Sequence, residues 1–332
     1  MKKITIGITM GDVCGVGPEI IVKALKEYGE SENFTPVIFG DRGIIEHASG
    51  LFNCNGEVEM VDLTHFPLNI IEKHCPSKET GEASVKYINT AIEQALSGNI
   101  DAIVTAPISK QSIHMAGYPW PGHTELFKEA TGVDTVSMMF DGGKFRVLLV
   151  TIHVPFQEIP KLLTKQTVYE KIIAADKAMR EMCGIEKPKI AVAALNPHGG
   201  EAGAFGNEEG LIIRPAIEEA QGQGLDVEGP IPADTLFIQA QKGRWDFVVS
   251  MYHDQGLIPF KMLYFDEGVN VTVGLPFVRT SPDHGTAFDI AWSGAASHKS
   301  MLSAIRLAVD YVARRETSEQ LQTLKKTTST IS

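Results

Sequence analysis

Short apolar runs alternate with amphipathic stretches along the whole chain, and this alternation predicts an α/β fold with at least partly parallel sheets. Residues 4–10 alternate Ile with Thr or Gly and suit a first strand. The loop 11–19 follows. Its Pro18 and Glu19 suit a first helical turn, because proline lacks a donor that is orphaned there anyway and a carboxylate favours the positive end. Ile20, Ile21, Ala24 and Leu25 then form a helical stripe. Further strands are predicted at 36–40, 101–106, 144–154, 189–195 and 247–251. Helices are predicted from Asp41-Arg42, over 80–96 with Gly98 just past its end, and over 125–130, 167–182 and 208–221. A C-terminal helix carries Met301, Ile305, Ala308, Val309 and Val312 on one face. Thr124 is read as the N-cap of the helix at 125–130. Residues 52–76 show no clear period, and the polar tail 325–332 is expected to fray.

Composition narrows the class. At 332 residues and 43% apolar, the chain is long enough for two globular domains. A net charge of −11 lacks the electrostatic footprint that a phosphate backbone needs, so nucleic acid is excluded as a partner. A small anionic substrate stays open, since local charge decides there. The four cysteines (Cys14, Cys54, Cys75, Cys183) show no metal-type spacing and fit a reducing cytoplasm. No stretch approaches the roughly 18 apolar residues of a membrane span. The apolar run within residues 1–10 is too short for a signal peptide.

Three histidines share one context. His153, His198 and His253 each follow an apolar strand and precede a Pro, Gly or polar loop. In a parallel sheet such strand ends lie on one side. Three neutral imidazoles there suit a divalent ion with open positions; a hydrogen-bonded loop residue is the plainer reading of any one of them. Lys261 and Arg279 are cations amid apolar runs, where an unpaired charge is costly. They are open to two readings: structural ion pairs, with Asp283 or Asp289 as candidate partners, or capture of a phosphate or carboxylate. The first loop, with Gly11, Gly15 and Gly17, is not the dinucleotide GxGxxG, and both an anion cradle and a tight turn fit it. His123 ends a shaped loop at 117–125 with two prolines and two glycines, and has no local structural excuse.

The segments GDVCGVGPEI, TAPISK, PGHTE, NPHGGE, PADT, YHDQGLIPFK, GVNVTVGLP and RTSPDHGTAFDIA cover nearly the whole chain in order. They resemble those of the 4-hydroxythreonine-4-phosphate dehydrogenases, the PdxA family of vitamin B6 biosynthesis. The first loop and HGTAFDIA are also similar to loops of the isopropylmalate and isocitrate dehydrogenases. The resemblance implies a two-domain α/β/α subunit of that type, with the active site in the interdomain cleft. The first domain would be 1–125 plus 256–332, and the second 126–255. It further implies a homodimer and one divalent ion (zinc, magnesium or cobalt) on His153, His198 and His253, the last lent from subunit to subunit. Substrate contacts fall on His123, Thr124, Lys261, Asn270 and Arg279. NAD or NADP would bind at Gly285, Thr286, Ala287 and Asp289, and at Gly11, Gly15 and Gly17. Lys261 and Asp234 are the catalytic candidates, Lys261 stabilising an oxyanion or moving a proton.

The implied reaction oxidises 4-phosphohydroxy-L-threonine at its hydroxyl and then releases CO2, giving 3-amino-2-oxopropyl phosphate. Two departures bear on it. The first loop reads GDVCGVGPE where the family has GDPAGIGPE, so Val13 and Cys14 leave its geometry open. The ending FDIAWSGAASHKSM is closer to a branch acting on D-threonate or D-erythronate 4-phosphate. A non-catalytic metal- or anion-binding homologue is the rival class. A nucleotide-phosphate hydrolase is disfavoured, because the glycine loop lacks GK[ST].

Overall fold

The computed structural model describes residues 3–29, 33–54, 56 and 58–329, with side chains through residue 315 and at 317. In chain order the elements are β1 (Ile4–Thr9), α1 (Gly17–Tyr28), β2 (Phe34–Gly40), α2 (Arg42–Leu51), β3 (Glu59–Asp62), α3 (Lys78–Leu96), β4 (Ala102–Thr105), α4 (Lys110–Met115), α5 (His123–Thr131), β5 (Ser137–Asp141) and β6 (Arg146–Leu149). There follow α6 (Ile159–Leu162), α7 (Lys165–Glu181), β7 (Lys189–Ala193), α8 (Arg214–Gly222), β8 (Asp226–Ile231), α9 (Ala233–Gln241), β9 (Phe247–Ser250), α10 (His253–Tyr264), β10 (Val269–Val273), β11 (Val278–Pro282) and α11 (Lys299–Ser329). The α/β expectation holds.

The chain divides into two compact units. Unit 1 is Met1–Val136 with Val269–Ala313, and unit 2 is Ser137–Gly268 with Arg314–Ser332. The expected division, 1–125 plus 256–332 against 126–255, sets its boundaries earlier. The difference matters for α10, which packs on unit 2: a Cβ on its Gly256 would stand 2.9 Å from Leu149 and 3.0 Å from Val147, both on β6. His253 and Lys261 therefore share a helix of unit 2.

Unit 1 orders its strands β3-β2-β1-β4-β11-β10, parallel except for the antiparallel pair β10/β11. Ile6, Ile8, Ile38, Phe39, Ile103 and Val104 on its central strands are all buried. A parallel strand covered on both faces reads as a continuous apolar run, which is why these strands were visible in the sequence. Each such side chain contributes roughly 1.5–3 kcal/mol on burial. Unit 2 orders its strands β5-β6-β9-β7-β8, with β6, β9, β7 and β8 parallel and β5 antiparallel to β6. Its core contains Phe140, Phe145 and Phe260, with Phe145 and Phe260 edge to face at 6.1 Å.

Several expectations need correction. The run 144–154 was expected as one strand, but the ladder covers only Arg146–Leu149 and is preceded by β5. The missed signal is Asp141-Gly142-Gly143, a hairpin turn in which Asp141 Oδ1 accepts from Gly143 N at 2.6 Å. Residues 52–76 contain β3, which pairs with β2, and a 3₁₀ segment Leu68–Lys73. The predicted helix 208–221 begins as one π-helical turn, Glu209–Ile213, before α8. Helix α5 starts at His123 with Gly122 as its N-cap, so Thr124 lies inside the first turn and is not the cap. α11 continues to Ser329, so residues 325–329 are helical; 330–332 lie outside the described residues, as do 1–2 of the opening stretch.

Candidate active site

The three histidines follow three neighbouring parallel strands of unit 2: His153 comes after β6, His253 after β9 and His198 after β7. Their exits therefore lie along one edge of that sheet, as the strand-end argument expected. The rings of His153 and His253 stand 5.6 Å apart, while His198 faces Phe205 at 6.2 Å. Among the described residues, no three His, Cys, Asp or Glu side chains of the single chain gather within reach of one ion.

Local chemistry still suits a metal. His253 Nδ1 is bonded to Asp254 Oδ1 at 2.7 Å. A carboxylate on Nδ1 holds the proton there and leaves Nε2 as a donor to a cation. His153 (φ 36) and His198 (φ 53) both adopt the left-handed backbone region. For an L-residue that costs roughly 1–2 kcal/mol, and such strain concentrates at functional positions. The β7 and β9 exits are tied by Gln255, which accepts from Met251 N at 2.7 Å and donates to Ala194 O at 2.6 Å. A cavity of about 510 Å³ opens here within unit 2, lined by His198, Asp234, Tyr252, Gln255, Asn196 and Phe156. Asp234 thus stands beside His198, in the first turn of α9.

Unit 1 gathers the other set. Arg279 on β11 is 2% exposed and donates to the hydroxyls of Thr272 and Thr105, with its guanidinium over the Phe127 ring at 5.5 Å. Its Nε has no partner, and neither Asp283 nor Asp289 pairs with it, so the ion-pair reading of Arg279 fails. Burial pulls the guanidinium down to about 9, which leaves it charged at neutral pH. His123 packs on the same Phe127 ring at 6.4 Å. Burial, and then the charge of Arg279, hold its imidazole well below the ordinary histidine value, so it is neutral. His123 Nε2 and Asn270 Oδ1 are also buried without partners. Buried polar atoms are nearly always satisfied, so unpaired ones at Arg279, His123 and Asn270 mark a site shaped for a ligand. Thr124 follows His123 on α5.

The two glycine loops turn out to be one device. Residues 11–20 are all buried. A Cβ on Gly11 would stand 2.3 Å from Pro107 O, one on Gly17 2.3 Å from Met10 O, and one on Gly15 2.9 Å from Thr286 O. The glycines of the first loop therefore serve close backbone packing, which the sequence had left level with an anion cradle. Val13 and Cys14 point inward; burial pushes the Cys14 thiol up to about 12, and its Sγ donates to Ile70 O at 3.2 Å. Asp12, raised by burial, accepts from Ser112, Thr80 and Cys14 N and anchors the loop on α3 and α4.

What the first loop holds is the second. Val16 N donates to Thr286 O at 2.9 Å, and Trp292 Nε1 donates to Val13 O at 3.1 Å. Glu19, read from sequence as a helix-dipole residue, is fully buried and accepts from Ala296 N at 3.1 Å. Gly285 and Asp289 are exposed, with Thr286 and Ala287 partly so. This loop alone presents open backbone, and a Cβ on Gly285 would meet nothing within 4 Å. Gly285, Thr286, Ala287 and Asp289 thus fit a dinucleotide contact better than Gly11, Gly15 and Gly17 do. Sequence reasoning missed Glu209, the strand-tying role of Gln255 and the clamping role of Glu19. For Glu209 a signal existed: it falls in phase with Ile213, Ala216, Ile217 and Ala220, a carboxylate on an apolar stripe.

Relatives carry this architecture to a class. The crystal structure of a 4-hydroxythreonine-4-phosphate dehydrogenase from Klebsiella pneumoniae matches with a TM-score of 0.81 and 36% identity, over 94% of this chain and 98% of that one. The chain is 44% identical over 319 residues to a protein of Desulforapulum autotrophicum named 4-hydroxythreonine-4-phosphate dehydrogenase, covering 91% of this chain and 94% of the relative. It is 41% identical over 327 residues to the D-threonate 4-phosphate dehydrogenase of Salmonella typhimurium, covering 93% and 99%. Its relatives are thus dehydrogenases that act on a hydroxyl of a phosphorylated substrate. The model of the pyridoxal phosphate biosynthetic protein PdxA matches residues 32–308, and the chain belongs to the PdxA family.

Proposed function

We propose that the protein is an NAD- or NADP-dependent, divalent-metal-dependent dehydrogenase that oxidises 4-phosphohydroxy-L-threonine at its hydroxyl and decarboxylates the product to 3-amino-2-oxopropyl phosphate. The observation that carries this reading is Arg279: a buried charge with an unpaired Nε and only hydroxyl partners, beside a neutral His123. A phosphate or carboxylate supplies the missing counter-charge in a bidentate geometry that Arg favours. His123, Thr124 and Asn270 complete the grip on the substrate.

His153, His198 and His253 would hold the ion, zinc, cobalt or magnesium. Bound there, it supplies a Lewis acid that polarises the substrate hydroxyl. Gly285, Thr286, Ala287 and Asp289 would hold and orient a nicotinamide cofactor, which would supply the hydride acceptor. Lys261 stabilises the developing oxyanion or takes up its proton, and Asp234 at the His198 cavity is the second acid/base candidate. The C–C bond to the carboxylate then breaks, its electron pair passes into the ketone as an enolate while CO2 leaves, and a proton added at that carbon gives the aminoketone phosphate.

The ligand set points to a homodimer with shared sites. Helix α10 begins with His253 and exposes Ile258 and Met262, which with Phe265 at its C-cap are 59%, 82% and 78% accessible and lie on one stripe. An apolar stripe of that kind fits a second copy, to which the helix would carry His253. Among the described residues no helix is long and apolar enough to cross a membrane, and all four cysteines are free. The free cysteines fit a reducing compartment, and on that basis we place the enzyme in the cytoplasm.

A second substrate reading stands on the ending FDIAWSGAASHKSM and on relatives named D-threonate 4-phosphate dehydrogenase. A panel of 4-phosphohydroxy-L-threonine and D-threonate and D-erythronate 4-phosphates, read by NADH formation with and without chelator, separates the two. Chelator-sensitive turnover of the aminated substrate is expected. Preference for a sugar-acid phosphate moves the protein to the other branch. No turnover with metal bound leaves a binding protein.

A further inference from the structure

Five consecutive residues after β7 stand in the left-handed region: His198 (φ 53), Gly199 (φ 69), Gly200 (φ 80), Glu201 (φ 40) and Ala202 (φ 54). Three of them carry a Cβ. Such a run persists only where its surroundings over-determine it. At its entrance the determining group is Glu209. Its carboxylate is buried and accepts three N–H bonds: Leu195 N at 2.9 Å and Asn196 N at 2.7 Å on Oε1, and Asn196 Nδ2 at 3.0 Å on Oε2. The turn then folds back over the same group. A Cβ on Gly200 would stand 2.7 Å from Glu209 Oε2, and one on Gly206 would stand 2.5 Å from Asn196 Nδ2. Glu209 reaches this position from a single π-helical turn, a geometry frequent at functional sites.

We propose that Glu209 is the positioning residue of His198: by fixing the backbone N–H groups of Leu195 and Asn196, it sets the direction in which β7 delivers the imidazole. The inference rests on the reading of His198 as a metal ligand. Two backbone donors need two acceptor lone pairs, and a carboxylate oxygen supplies both while its partner oxygen holds the Asn196 amide. A glutamine keeps the oxygen but turns a donor toward Asn196 Nδ2, itself a donor.

Cobalt(II) titration of the full-length protein tests this, with visible absorption as the readout, because the spectrum reports ligand number and geometry. Glu209→Gln is expected to weaken cobalt binding roughly ten- to a hundredfold and to change the spectrum, with circular dichroism as in the parent. A folded Glu209→Gln with parental affinity and spectrum overturns the proposal. Should that variant fail to fold, Glu209→Asp decides, since it keeps the charge but draws the carboxylate back from the two backbone N–H groups; a weakening of about threefold or more is expected, and parental affinity overturns the idea. His198→Ala separates the two layers of inference. Lost cobalt binding there, with none lost in Glu209→Gln, removes the positioning role alone. Retained binding in His198→Ala removes the metal reading and this proposal together.

Discussion

Arg279 in unit 1 and His198 in unit 2 are both costly to hold, for different reasons. Arg279 keeps regular strand backbone on β11 and gives up its water. His198 stays exposed and gives up its preferred backbone. Unit 1 spends desolvation and stores it as unpaired polar atoms that a ligand can satisfy. Unit 2 spends conformational strain and stores it in a turn whose entrance is held by Glu209. The difference teaches where each kind of substitution should tell. Removing charge from unit 1 should cost function and spare the fold, whereas relaxing backbone in unit 2 should raise stability and blur the proposed metal site.

Arg279→Met breaks the comparison most sharply. Losing a buried charged partner of the substrate costs about 2–5 kcal/mol, so kcat/KM on the preferred substrate should fall by roughly 10²–10⁴. The thermal midpoint should stay or rise, because a buried cation without a counter-charge leaves with the side chain. A strongly lowered midpoint would show that Arg279 is structural after all.

His123 supplies a pH test of the same pocket. Its folded value lies below that of an unfolded histidine, about 6.5, so the unfolded chain binds the extra proton first. Its contribution to stability is therefore complete above that pH and is lost as pH falls toward the folded value, by at most about 1.4 kcal/mol per pH unit. Denaturant unfolding at pH 7 and pH 5 should show a steeper loss in the parent than in His123→Gln. Equal losses would mean that the imidazole is not held neutral.

Gly15→Ala tests the clamp between the two loops. The added methyl meets Thr286 O, so the loop 285–289, proposed to hold the cofactor, must shift. The KM for NAD should rise about tenfold, a change worth about 1.4 kcal/mol, with cobalt affinity unchanged. In unit 2 the counterpart is Ala202→Gly, which relieves one left-handed Cβ and should add about 1 kcal/mol of stability by denaturant titration. A loss there would mean that the turn is not strained.

Much of this was legible before any coordinates. Parallel strands buried on both faces read as apolar runs, and the histidines at their exits could be placed on one edge from that pattern alone. Other features were not legible, because their causes are distant in the chain. The glycines of residues 11–17 look like a phosphate loop until Thr286 and Pro107 are found against them. The left-handed turn gives only the Gly199-Gly200 pair as a hint, since nothing in Glu201 or Ala202 announces a positive φ. The end of β6 was overrun because Val150 and Ile152 continue an apolar pattern after the ladder has stopped.

The smallest effect decides the meaning of Thr124. As a cap it would be worth about 1 kcal/mol, but Gly122 holds that position and Thr124 is within the first turn of α5. Thr124→Ala should therefore change stability by less than about 0.5 kcal/mol. Its hydroxyl, if it donates to the substrate, is worth about 0.5–1.5 kcal/mol, or roughly a three- to tenfold loss in kcat/KM. Unfolding and steady-state kinetics on the same preparation separate the two. A loss of about 1 kcal/mol in stability with unchanged kcat/KM would return Thr124 to the helix and take it out of the site.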